Sequence, residues 1–157
     1  MKNFVQKKLK DQKGMTLIEL LAVIVIIAII AAIAIPAIGN IIENSRYSAV
    51  KSDATNVISA ANIYFTENPE EATKTVTVDK LMTDGYLQSA GKLESVKSTA
   101  TVTKANPNTL KSGKVTYSGT KTIEFDGATS DAITKDVLKG SAVKAVTIST
   151  TVTSTPN

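Results

Sequence analysis

The chain has 157 residues and a formal net charge of +4, with no histidine and no cysteine. Those absences exclude histidine-based triads, histidine metal sites, thiol nucleophiles and a disulfide framework. The basic excess is local: residues 1–14 hold five of the 18 basic and one of the 14 acidic residues, and the remainder is balanced, so global basicity gives no argument for nucleic acid.

In chain order the first element is the basic stretch itself, with Lys2, Lys7, Lys8, Lys10 and Lys13 against Asp11 alone. The positive-inside rule keeps this end in the cytoplasm and exports the remainder of the chain. Next come Gly14, Met15, Thr16, Leu17, Ile18 and Glu19, and then an unbroken apolar run from Leu20 to Ile35, with no further charge before Glu43. As a helix the run reaches across most of a bilayer. A carboxylate at its head is costly there and calls for a partner cation. An ordinary secretory signal places its small-residue cleavage site after the apolar stretch. Here the small residue, Gly14, precedes it. A cut after Gly14 leaves the apolar helix on the mature chain and creates an amine at Met15, four residues before Glu19, the spacing of one helical turn.

Pro36 lacks an N–H and is read as bending or loosening the helix. Beyond it the apolar positions Ile38, Ile41 and Ile42, then Val50, Ala54, Val57, Ile58, Ala61, Tyr64 and Phe65, form a helical stripe. Asn68-Pro69 ends it. A continuous helix from Met15 to about Glu67 would be on the order of 80 Å long. That is too long for a compact domain of this size, so its first half must bury itself in a membrane or against other copies.

After Pro69 the texture turns to short alternating runs. Thr75–Asp79 is expected to be extended, with Asp79 capping a short helix that Gly85 ends. Lys97–Lys104 reads as a strand and Ala105–Leu110, with Pro107, as a loop. Lys114–Tyr117 and Thr122–Phe125 flank Ser118-Gly119-Thr120 as a hairpin. Ser130 is expected to cap a helix over Asp131–Leu138 that Gly140 stops, and Ala142–Val152 to be the last strand. The expected fold is α+β: a long N-terminal helix whose second half packs on a small antiparallel sheet of about four strands, with a Thr-rich outer face.

No catalytic constellation or phosphate-binding loop is present in the sequence. Glu70 and Glu71 read as a solvated loop. Asp126-Gly127 and Asp131 lack the spacing of a calcium loop. Lys121, Lys135, Lys139 and Lys144 read as a solvated face, with an anionic surface or DNA as the other reading. No cofactor, metal or enzymatic activity is expected.

The Gly14, Thr16, Leu17, Glu19 pattern before an apolar helix resembles the signal of type IV prepilins, with Met15 where phenylalanine is commoner. The match covers about 25 residues. The resemblance implies a leader (1–14), a membrane-spanning or filament-core helix (15–38), an amphipathic second half (39–68) and a β-sheet head (69–157). It implies cleavage between Gly14 and Met15 by an aspartyl prepilin peptidase, N-methylation of Met15, and pairing of Glu19 with the Met15 amine of a neighbouring subunit. It further implies a helical homo-oligomer, an assembly ATPase, membrane platform proteins and a cell-surface location, in the service of adhesion, twitching motility or DNA uptake. The segment before Pro36 can unwind in such filaments. Many pilins close a C-terminal loop with a disulfide; this chain cannot, which points towards a Gram-positive lineage. The other readings are a pseudopilin of a competence or secretion machine, a minor pilin acting as a tip module, and an exported enzyme on a single-span anchor.

Overall fold

The computed structural model describes residues 15–70 and 74–150. The basic stretch, Gly14, Glu71 and the last residues of the expected final strand lie outside them. The chain divides into two compact units at the Gly39–Asn40 bond.

Helix α1 runs over Leu17–Glu67 and passes through Pro36. In the first unit its large apolar side chains are all exposed, and Glu19 is its one charged residue. In the second unit the predicted stripe from Val50 to Phe65 is buried, joined by Tyr47 and Ala60, whereas Ile41 and Ile42, also expected in the stripe, are exposed. The helix ends where Asn68 bonds the Tyr64 carbonyl through both its backbone N–H and its side-chain amide, each at 2.9 Å, and Pro69 comes next.

The rest of the second unit is a six-stranded sheet: β1 (Thr75–Thr77), β2 (Thr101–Thr103), β3 (Thr109–Lys111), β4 (Val115–Ser118), β5 (Lys121–Ala128) and β6 (Ala145–Ser149). Helix α2 (Val78–Thr83), a 3-10 turn (Gly91–Val96) and helix α3 (Ser130–Lys135) are interleaved with the strands. The alternation predicted for a one-sided sheet is present. Val76, Val102, Leu110, Val115, Tyr117, Ile123, Phe125, Val146 and Ile148 are buried in one core with the stripe of α1, while threonines fill intervening positions.

Several expectations are corrected. The sheet is mixed and not wholly antiparallel: β5 pairs β6 in parallel over Thr122–Asp126, while the other pairs are antiparallel. The crossover through α3 between β5 and β6 makes parallel pairing possible, because a parallel pair needs a connection long enough to carry the chain back. The segment read as a loop ends in a strand, β3. Both β3 and β4 pair β5 with a register irregularity, at Leu110/Lys111 and at Thr116/Ser118, and residues 112–114 carry the chain from one to the other: Lys111 pairs Asp126 and Val115 pairs Ile123. Between them buried Ser112 donates its N–H to the Phe125 carbonyl at 2.8 Å. The strand expected over Lys97–Lys104 shrinks to β2, because a turn takes up residues 97–99. The short helices are capped one or two residues earlier than expected. Thr77, not Asp79, caps α2, and Thr129, not Ser130, caps α3, each hydroxyl accepting an N–H three residues on. The β4–β5 hairpin is as expected, with Gly119 at φ +53° in its turn.

Candidate functional site

Of the site residues expected from the sequence, Met15 and Glu19 lie at the head of α1. Met15 precedes the first helical residue and is exposed, so its relation to Glu19 within one chain is not that of two residues on a helical face. Glu19 turns back on Thr16 instead. Its carboxylate accepts from the Thr16 N–H and from the Thr16 hydroxyl, both at 2.7 Å, and the Glu19 N–H donates to the Thr16 hydroxyl at 3.3 Å. The Thr16 carbonyl accepts the Leu20 N–H at 3.1 Å. These are the reciprocal bonds of a capping box, in which a threonine at the helix start and a glutamate three residues on satisfy each other's orphan donors. Thr16 was not singled out on chemical grounds from the sequence. The signal was there, in the Thr-x-x-Glu spacing just before an apolar run. A carboxylate at the helix start also faces the positive end of the helix dipole. The chain thus supplies Glu19 with local donors, but no cation pairs with it among the described residues.

Behind this cap lies an apolar surface left exposed among the described residues. Fifteen large apolar side chains between Met15 and Ile38 are exposed, Leu17 at 82% and Ile33 at 71%, and the stretch is apolar enough to cross a membrane. Covering side chains of this size is worth about 1.5–3 kcal/mol each when burial is complete. The sum, on the order of 20 kcal/mol, exceeds the net stability of an ordinary domain. Ile41 and Ile42 carry the exposed isoleucines into the second unit. Pro36 stands within this stretch and has no N–H to donate to the Ala32 carbonyl.

The remaining candidates do not gather. Asp126 pairs with Lys111 at 3.0 Å and Asp131 with Lys135 at 2.8 Å, and no metal-holding group of acidic residues occurs among the described residues. Of the four lysines considered as a basic face, Lys121 is engaged by Glu43 at 2.6 Å and Lys135 by Asp131, which leaves Lys139 and Lys144 of that set outside any ion pair among the described residues. The Lys121 ammonium beside Glu43 holds that carboxyl below its usual range. Glu70 is exposed.

Residues 9–35 match the prokaryotic N-terminal methylation motif. No curated protein and no solved structure matches the chain. The motif marks pilin- and pseudopilin-type structural proteins, not enzymes, and here it spans Gly14, Met15, Thr16, Glu19 and the apolar run up to Ile35. The matched residues carry a type IV pilin-like prepilin signal.

Proposed function

We propose that this protein is the precursor of a type IV pilus subunit. Prepilin peptidase cuts between Gly14 and Met15 and the new Met15 amine is methylated. The mature chain waits in the cytoplasmic membrane as a single span and is then moved into a surface filament by an assembly ATPase and membrane platform proteins. Residues 1–14 are the leader, 15–38 the span and filament core, 39–68 the amphipathic half of the helix, and 69–157 the head.

The observation that carries this reading is the exposed apolar half of α1 headed by a carboxylate with local hydrogen bonds and no cation partner among the described residues. In lipid that carboxylate is tolerated near the interface, where its capping bonds to Thr16 offset part of the desolvation. In a filament the apolar helix exchanges lipid for the helices of other copies, a step with little change in apolar burial. The gain that favours the filament is then polar: Glu19 acquires the Met15 ammonium of the adjacent copy, and that pair sets the stagger. Pro36 weakens the helix within the core, so that the segment before it can bend or unwind as copies pack.

The test is the intact mass and N-terminal sequence of protein sheared from the cell surface. A high-molecular-weight fraction whose subunits begin at methylated Met15 is expected. Full-length protein confined to the membrane would overturn the reading in favour of a simple anchor.

A further inference from the structure

We propose that residues 43–51 of α1 and the irregular strap 136–144 form a latch, a pair of segments that open and close together while the rest of the head stays folded. The strap connects α3 to β6 without regular structure and is held from two sides. From the helix side, the Asn44 side-chain oxygen accepts the Ser141 N–H at 3.0 Å, the Tyr47 hydroxyl donates to Asp136 at 2.6 Å, and the Lys51 ammonium donates to the Asp136 carbonyl at 2.5 Å. From the sheet side, the Tyr117 hydroxyl lies 2.9 Å from the Gly140 carbonyl and 3.0 Å from that of Val143.

Lys121 joins the two sides. Its ammonium donates to Glu43 at 2.6 Å, to the Ser141 carbonyl at 2.9 Å and to the Gly140 carbonyl at 3.3 Å, one acceptor for each of its three hydrogens. Gly140 is seated where a side chain would collide: a Cβ there would stand 2.5 Å from the Tyr47 Cβ and 3.0 Å from the Glu43 carbonyl oxygen. The strap therefore fits the helix at one register only.

What holds these two segments together differs from what holds the rest. Between Ala54 and Phe65 seven apolar side chains of α1 are buried, whereas residues 43–51 bury only Tyr47 and Val50. The strap fully buries only Asp136 and Gly140, and its apolar side chains Leu138 and Val143 are no more than partly buried against the core. A region with few buried apolar contacts and a polar interface lies at the low end of local stability, and it opens before the core does. Three of these hydrogen bonds run directly between helix and strap, and Lys121 holds both, so each segment loses partners when the other leaves.

Opening would convert nine residues of helix, about 13 Å long, into chain able to span about 30 Å. In a filament subunit, a use that rests on the function proposed above, this gives slack under tension before the sheet is loaded.

The experiment is hydrogen–deuterium exchange on the full chain in detergent micelles, which needs no filament and so stands or falls apart from the assembly reading. Lys121→Met should speed exchange in residues 43–51 and 136–144 by a common factor of at least about tenfold, with Ala54–Phe65 and β5 within about twofold of the unaltered protein. Asn44→Ala, which removes only the acceptor for Ser141, should produce the same paired response more weakly and serves if Lys121→Met does not fold. Acceleration of the strap alone, an equal acceleration across the whole head, or no change in either segment would overturn the latch.

Discussion

Asp136→Ala is the substitution whose consequence the structure determines most closely. The carboxylate is 1% exposed, receives the Tyr47 hydroxyl at 2.6 Å and sits 3.2 Å from the Lys51 ammonium, itself 16% exposed. Truncation orphans the Tyr47 hydroxyl, at a cost of about 1–3 kcal/mol. It also strips Lys51 of its counter-charge, while the Asp136 carbonyl still accepts from the ammonium. Breaking a buried pair by removing one partner costs about 3–5 kcal/mol, and the retained carbonyl bond places this case at the low end, about 3 kcal/mol in all. Removing the Tyr47 hydroxyl as well eliminates the orphan, so Tyr47→Phe with Asp136→Ala should be less destabilising than the sum of the single changes, by about 1–2 kcal/mol. The assay is urea unfolding in micelles followed by tyrosine fluorescence. All four tyrosines lie beyond Asn40, so the signal reports the head. The loss has a ceiling, the free energy of opening the latch, because a variant whose latch is already open has nothing further to lose. Asp136→Ala within about 0.5 kcal/mol of the unaltered protein would refute the contact as a stabilising one.

At the other end of the helix, Glu19→Gln keeps an acceptor in the capping box and removes only the charge, so it should be processed normally yet yield at least about tenfold less sheared filament, as should Glu19→Ala and Glu19→Val. Filament of normal amount and length from the glutamine variant would reject the charge pair. Gly14→Leu should leave the leader on, and an immunoblot showing processed protein would reject the cleavage site. Burial and then the hydrogen bond to Asp136 push the Tyr47 phenol well above its usual value of 10.0. The folded chain thus keeps a proton that the unfolded chain releases, and this contribution is full below about pH 10 and is lost as pH rises above it. Tyr47→Phe should flatten the fall in urea midpoint between about pH 9 and about pH 11; an unchanged slope would assign the alkaline loss to other groups.

Much of the fold was legible because its signals are local. The stripe from Val50 to Phe65 is buried residue for residue, since a period of 3.6 admits one buried face. The β4–β5 hairpin was marked by Ser118-Gly119-Thr120 between two alternating runs. Strand β3 was hidden: three residues close to Pro107, with a register irregularity among them, carry too little pattern to outweigh turn-forming neighbours. The parallel pairing of β6 was within reach, since a strand, a helix and a second strand in succession are the parts of a crossover.

The sequence by itself determined the apolar span, the carboxylate at its head and the length of the helix, and it alone suggested the cut proposed between Gly14 and Met15. Each depends on neighbouring residues and on the absence of charge over a long run, quantities that need no fold. The tertiary structure alone decided what the polar residues of the head do. Tyr47 and Lys51 lie 89 and 85 residues from Asp136, and Glu43 lies 78 from Lys121. Nothing in their local pattern distinguishes a buried tie from a solvated side chain until the sheet and the strap bring their partners within hydrogen-bond reach.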